Sequence, residues 1–126
     1  MTQTARPTIE AVAAAQAAKV KIAFNRCIPE SESLAEALRE AGHEATVMRC
    51  SHLLTRAPKA DARWLKLNSQ IYWTHYVVRV GDRAIDLTRR QFFPDAPQPF
   101  IQDWDDLLAE WDDVTERRNW AKELYL

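Results

Sequence analysis

The sequence has little glycine and cysteine, and it lacks any long apolar run. Only 2 of its 126 residues are glycine and 47% are hydrophobic, which is typical of a compact globular protein rather than a disordered one. The length predicts a single domain over residues 1–126, with a tail at residues 1–7. No apolar stretch approaches the roughly 20 residues that cross a bilayer. The alanine-rich segment Ala11–Ala18 is too weakly apolar for a signal peptide.

Net charge and cysteine content exclude several further classes. Lys and Arg number 17 and Asp and Glu 18, so a net charge of −1 predicts no nucleic-acid partner and no membrane partner. Two cysteines form one pair at most, which is not a disulfide framework, so we expect reduced thiols and a cytoplasmic location. Specialised secretion without a cleaved signal leaves no mark on a sequence. Export into another cell therefore stays open.

The segment Trp73–Thr88 has the pattern of a β-hairpin. Residues 71–80 and 83–88 are rich in Val, Ile, Tyr, Trp and Thr, and Gly81-Asp82 between them is a two-residue turn signal. Closing this turn pairs Val80 with Arg83, so the numbers of paired residues sum to 163. The register of both strands follows from the turn alone.

This register places a histidine and an aspartate on the same face of the hairpin. Side chains alternate between faces along a strand, so His75 and Asp86 become diagonal cross-strand neighbours with Cβ atoms roughly 7 Å apart. That separation allows the carboxylate to orient the imidazole, as in a nucleophilic triad. The opposite face is uniformly apolar and is predicted to be the core side: Tyr76, Val78, Val80, Ile85 and Leu87.

Cys27 is the candidate nucleophile because a helix is predicted to begin beside it. Pro29 suits a first helical turn, and Gly42 supplies a left-handed stop after an apolar stripe. Backbone N–H groups and the helix dipole at such a position lower the pKa of a thiol and can hold an oxyanion. The alternative is that Cys27 is a small buried hydrophobic residue at the start of the helix.

A cysteine that opens a helix, followed by a strand and by the hairpin His75–Thr88, resembles the core of papain-like and transglutaminase-like thiol enzymes, particularly small bacterial members. The run Ile85–Pro94 is similar to an "iDlT-x-x-Qf" pattern common in such domains. The resemblance covers roughly residues 20–100. It implies Cys27 as nucleophile, His75 as general base and Asp86 as the acid that orients the base.

Further candidates for oxyanion or substrate contacts lie close to these three residues. No glutamine precedes Cys27 as a side-chain oxyanion donor, so Asn25 is the candidate in its place. Arg89 is a candidate for binding a substrate carboxylate or phosphate, although a solvated arginine is the alternative. Gln91 lies in the motif that carries the resemblance, and Trp73 is a candidate cleft residue, with core packing as its alternative.

The expected fold class is α+β, with a papain-like or transglutaminase-like core. Helices over residues 8–24 and 30–41 are predicted to pack on an antiparallel sheet of residues 44–50, 71–80 and 83–88. Residues 92–100, with three prolines, are predicted to be an extended connector. A helix, or a broken pair of helices, is predicted from Asp103 to the end of the chain.

Two further groups of residues could have a function: a possible set of zinc ligands and an acidic run near the end of the chain. A zinc site built from Cys27, His43, Cys50 and His52 lacks the usual ligand spacing, so neither a metal nor another cofactor is expected. The run Asp103–Asp113 carries six acids and two tryptophans. Its apolar residues recur at helical spacing, which predicts a packing face: Trp104, Leu107, Leu108 and Trp111. The simpler interpretation is a solvated amphipathic helix. The alternative is a functional one, in which the acids form a surface that binds a basic protein partner.

These patterns lead to two functional hypotheses. The first is a thiol enzyme that performs acyl transfer on an amide of a protein or peptide substrate: peptide hydrolysis, glutamine deamidation or transamidation. The second is a non-catalytic binding or immunity-type protein of the same fold, which uses the acidic C-terminal helix as its interface. Thiol reactivity discriminates between them.

Overall fold

The fold is α+β, as predicted. A computed structural model describes residues 6–20, 27–53, 74–91, 93 and 95–117, and for Cys27, His52, Leu53, Thr74 and Gln91 it describes the backbone alone. Within these ranges, three α-helices accompany one antiparallel sheet of five strands. In chain order the elements are α1 Ile9–Ala17, α2 Cys27–Glu40, β1 Thr46–Leu53, β2 Thr74–Val80, β3 Arg83–Asp86, a short 3₁₀ helix Arg89–Gln91, β4 Phe100–Asp103, α3 Trp104–Glu110 and β5 Trp111–Glu116.

The β2–β3 hairpin lies at the middle of the sheet, whose strand order is β4-β3-β2-β1-β5. Val80 pairs with Arg83, and the register continues to Val78 opposite Ile85, so the predicted pairing is confirmed. Gly81 occupies the turn with a φ of 60°, a conformation that glycine adopts without steric cost. The two-residue turn therefore fixes which side chains share a face.

Both faces of the sheet are buried, whereas the sequence predicted only one. Helices α1 and α2 cover the predicted core face, where Tyr76, Val78, Ile85 and Leu87 pack with Leu34 and Leu38. The other face carries a second buried cluster: Met48, Cys50, Val77, Ala84, Leu107 and Trp111. Helix α3 supplies Leu107 to this second cluster, so His75 and Asp86 point into a covered layer rather than into solvent.

Several predicted boundaries change. The Thr8 side chain caps α1 by accepting from the N–H of Ala11, but the helix ends at Ala17. Of the predicted remainder, residues 18–20 are non-helical and 21–24 lie outside the described residues. Helix α2 begins earlier than predicted, at Cys27. Strand β1 covers residues 46–53 rather than 44–50, and β3 ends at Asp86 rather than residue 88. The part of the predicted β2 before Thr74 lies outside the described ranges.

The C-terminal prediction is wrong beyond residue 110. The acidic run Asp103–Asp113 is not one helix, because α3 stops at Glu110 and Trp111 opens β5, an edge strand paired with β1. Strand β4 was also missed, since Phe100 falls in the predicted connector although it pairs with Asp86. Pairing partners far away in the sequence determine both strands, and acidic residues have a weak intrinsic preference for strands.

Gly42 offers a direct test of the helix stop. Its φ is 92°, and a Cβ built there would lie 2.7 Å from Nε of Arg6. The N–H of His43 donates to the carbonyl of Leu38 at 2.9 Å, which closes the last turn of α2 around the left-handed residue. We expect Gly42→Ala to lower the free energy of unfolding by about 1–2 kcal/mol in chemical denaturation.

Gly81→Ala is the matched control for this substitution. Its φ of 60° lies nearer the region that other residues tolerate, and no atom approaches an added Cβ within 4 Å. We expect Gly81→Ala to be the milder variant. An equal loss of stability in the two proteins would contradict the role assigned to Gly42.

Candidate active site

A hydrogen-bonded histidine–aspartate pair joins the two strands of the hairpin. His75 Nε2 lies 2.8 Å from Asp86 Oδ2, and the side chains are 1% and 6% exposed. A carboxylate only accepts hydrogen bonds, so this contact favours the tautomer in which Nε2 carries the proton and Nδ1 the lone pair. This is the arrangement in which an acid fixes the tautomer of a general base.

A second hydrogen bond aims the carboxylate of Asp86. The backbone N–H of Thr88 donates to Asp86 Oδ1 at 2.9 Å, which leaves Oδ2 directed at His75. Asp-x-Thr is a common sequence for such a local turn, because a short acidic side chain readily reaches the N–H two residues further on. Thr88 is therefore a positioning residue that the Asp-Leu-Thr motif could have indicated.

The imidazole is enclosed by residues from β1 and β5. The ring of Trp111 stacks on it with centroids 5.9 Å apart and an interplanar angle of 17°. Cys50 is the direct cross-strand partner of His75, and it is fully buried. The sequence gave no indication of the contact with Trp111, because that contact depends on β5 lying beside β1.

Helix α2 contacts β2 at Tyr76, the residue that follows His75 in the chain. Cys27 is the first residue of the helix, and its side chain lies outside the described residues. One turn later, Ser31 Oγ donates to the carbonyl of Tyr76 at 3.0 Å. The helix packs on the face that carries Tyr76, whereas His75 points to the opposite face. A contact between Cys27 and His75 therefore has to pass around the beginning of β2.

Arg89 is engaged within the protein. Its guanidinium donates to both carboxylate oxygens of Glu110, at 2.6 and 3.0 Å. This supports a structural role for Arg89 in place of the predicted substrate contact. Gln91 contributes its backbone to the 3₁₀ helix, while Asn25 and Trp73 lie outside the described residues.

The acidic stretch keeps part of its predicted packing face. Leu107 and Trp111 are buried, whereas Leu108, predicted on the same face, is 44% exposed. The acids at 105, 106, 112 and 113 are exposed.

No group of three or more His, Cys, Asp or Glu side chains with metal-binding geometry occurs among the described residues. A groove of about 410 Å³ lies between α2 and the strands β1 and β5, and its lining includes Glu32, Glu36 and Glu116 but neither His75 nor Asp86. Within the described ranges, no helix has the length and apolar character needed to span a membrane.

The chain matches no protein-family model, no curated protein and no solved structure. Any functional conclusion therefore depends on the residues and the geometry described above.

Proposed function

We propose that this protein is a thiol-dependent acyl-transfer enzyme that acts on an amide, with a papain-like or transglutaminase-like core. The observation that carries the proposal is the buried hydrogen bond between His75 and Asp86, with Asp86 aimed by the N–H of Thr88. A base held by an oriented acid on rigid strands provides two of the three members of a nucleophilic triad.

Cys27 is the proposed third member. It opens α2, and the Ser31–Tyr76 hydrogen bond anchors the following turn beside β2. Because His75 is the second residue of β2, its ring lies near the beginning of the strand. The proposal requires the sulfur of Cys27 to reach the imidazole around that end, within about 4 Å of a ring nitrogen.

The proposed reaction proceeds in two steps. His75 accepts the thiol proton of Cys27, the thiolate forms a bond to the amide carbonyl carbon, and backbone N–H groups at the start of α2 stabilise the oxyanion. The C–N bond then breaks, and His75 returns the proton to the leaving amine. Water or an amine attacks the resulting thioester, which releases the acid or a new amide and restores the thiol. Protein or peptide amides in a reducing, cytoplasmic compartment are the proposed substrates.

A non-catalytic binding protein of the same fold is the second candidate, and burial of the pair favours it. His75 is 1% exposed and Asp86 is 4% exposed, and a fully buried cysteine lies opposite His75. Such a network also serves purely to specify the sheet. In that case the exposed acids of α3 and β5 would be the surface for a basic protein partner.

Thiol alkylation distinguishes these candidates. A Cys27 activated by His75 is expected to react with iodoacetamide at neutral pH on the order of 10-fold faster than an ordinary thiol, of which a few per cent is ionised at pH 7. Intact mass gives the rate, and peptide mapping separates Cys27 from Cys50. The His75→Ala variant is expected to lose this advantage.

His43→Ala is the matched control, because the Nε2–H of His43 donates a hydrogen bond to the carbonyl of Pro7, outside the candidate site. It is expected to leave the labelling rate unchanged. Equal labelling of wild type and His75→Ala would support the binding protein instead of the enzyme.

A further inference from the structure

We propose that Glu110 is a positioning residue that holds the His75–Asp86 pair in its geometry by anchoring Arg89. The catalytic consequence of this inference rests on the proposed function. The positioning itself concerns only contacts within the described residues, so it can be tested separately.

Glu110 is the centre of a partly buried network. Its carboxylate accepts two hydrogen bonds from the Arg89 guanidinium and a third from Nε2 of Gln102, at 3.0 Å. The Arg89 and Glu110 side chains are only 13% and 19% exposed. A two-pronged arginine–carboxylate pair fixes orientation as well as distance, and partial burial protects it from screening by salt.

The guanidinium of Arg89 is also enclosed by aromatic rings. It lies 4.5 Å from the ring centroid of Phe93 and 4.1 Å from that of Phe100. The two rings restrict the planar guanidinium to one orientation, and they remove it from water. An arginine held in this way without Glu110 would be a partly buried cation lacking its carboxylate, so Glu110 decides whether this position is maintained.

The network reaches the proposed site through the backbone. Arg89 directly follows Thr88, whose N–H aims Asp86 at His75. The N–H of Phe93 donates to the carbonyl of Arg89 at 3.0 Å. The backbone around Arg89 is therefore hydrogen-bonded on both sides, at Thr88 before it and at Phe93 after it. A displacement of Arg89 therefore moves the N–H of Thr88 and releases one oxygen of Asp86.

The residue after Glu110 touches the other member of the pair. Trp111 stacks on His75, so the junction of α3 and β5 contacts the histidine directly and the aspartate through Arg89. Two neighbouring residues thus link the C-terminal elements to both halves of the pair. Glu110 differs in this way from the exposed acids on either side of it.

Glu110→Gln is the test, because it keeps the shape of the side chain and removes its charge. The first readout is the NMR signal of the His75 Nε2 proton, which is expected to be observable because the ring is 1% exposed and its N–H bonds to Asp86. The second is the alkylation rate of Cys27 between pH 5 and 9, and the third is stability in urea. Glu116→Gln is the matched control, since Glu116 is an exposed acid of the neighbouring strand.

Glu110→Gln is expected to shift or broaden the NMR signal of the His75 ring proton. It is also expected to slow Cys27 alkylation about 10-fold, which is less than the roughly 100-fold rate loss that a misplacement of about 1 Å can cause. Arg89→Lys is expected to have the same effect. The double variant is expected to be no slower than either single variant, because both act through one ion pair. Glu116→Gln is expected to match the wild type in all three measurements.

A loss of stability with an unchanged His75 ring proton and an unchanged alkylation profile would overturn the inference. If Glu110→Gln does not fold, Glu110→Asp replaces it, because this variant keeps the charge and shortens the reach by one methylene. A different result contradicts the proposed function: an equal rate of Cys27 alkylation in the wild type and in His75→Ala. The ring proton still tests the positioning in that case.

Discussion

Cys27→Ala is expected to abolish acyl transfer while leaving the fold intact. The substitution removes only the sulfur at the first position of α2, where alanine is a good helix former. We expect the free energy of unfolding to change by less than about 1 kcal/mol, and activity to fall by at least about 10³-fold. Activity is followed in parallel as ammonia release, amine incorporation and peptide cleavage on a denatured protein substrate.

Cys50→Ala is the matched control for the loss of a thiol. Cys50 is fully buried in the second cluster, so its replacement is expected to cost about 1 kcal/mol of stability through a small cavity. It is expected to leave acyl transfer in place at temperatures where the protein is folded. Loss of activity in Cys50→Ala together with full activity in Cys27→Ala would refute the assignment of the nucleophile.

Asp86→Ala is expected to produce the largest combined loss of stability and activity. It would leave the ring N–H of His75 and the backbone N–H of Thr88 buried without the acceptor that both now use. Each such group costs about 1–3 kcal/mol, so the free energy of unfolding is expected to fall by about 2–6 kcal/mol in urea denaturation. Acyl transfer is expected to fall by about 10²–10⁴-fold, the range in which loss of an orienting acid acts on a triad.

Asp86→Asn separates the two effects. An asparagine fills the same volume and keeps one acceptor oxygen, while its NH2 group faces one of the two donors, so stability is expected to fall less than in Asp86→Ala. Activity is still expected to fall strongly because the tautomer of His75 is no longer fixed. Asp95→Ala, at an exposed acid, is the control and is expected to change neither quantity. A fully active Asp86→Asn would contradict the role of the carboxylate.

The geometry of the histidine–aspartate pair was predictable because a local signal determined it. The two-residue turn at Gly81 fixes the hairpin register, and the register decides that His75 and Asp86 share a face. Alternation of apolar side chains predicted the correct inner face, and the glycine at 42 predicted the end of α2. Each of these features depends on neighbours within a few residues.

The covering of the pair was not predictable, because it depends on contacts between distant segments. Trp104, Leu107 and Trp111 have helical spacing, so the sequence predicted a helix, or a broken pair of helices, from Asp103. The chain instead leaves the helix at Trp111 and pairs with β1, which places Trp111 against His75. No local pattern indicates that β1 has an unpaired edge at this point.

Arg89 illustrates the same limit for the candidate site. Its position directly after the Asp-Leu-Thr segment suggested a substrate contact, since an arginine near a site can bind a carboxylate or a phosphate. The partner that it has, Glu110, lies in a different element and is one acid among many in the sequence. Only the fold distinguishes this acid from its exposed neighbours.

The central claim is that Cys27 and His75 meet, and a bifunctional reagent tests it most directly. 1,3-Dibromoacetone alkylates a thiol first and can then bridge to a nearby imidazole through its three-carbon chain. Treatment of the folded protein, followed by digestion and mass spectrometry, is expected to give one bridge between Cys27 and His75. The bridge is expected to persist in His43→Ala and to be absent in His75→Ala. Alkylation of Cys27 without any bridge, or a bridge from Cys50 to His75 alone, would contradict the proposed triad.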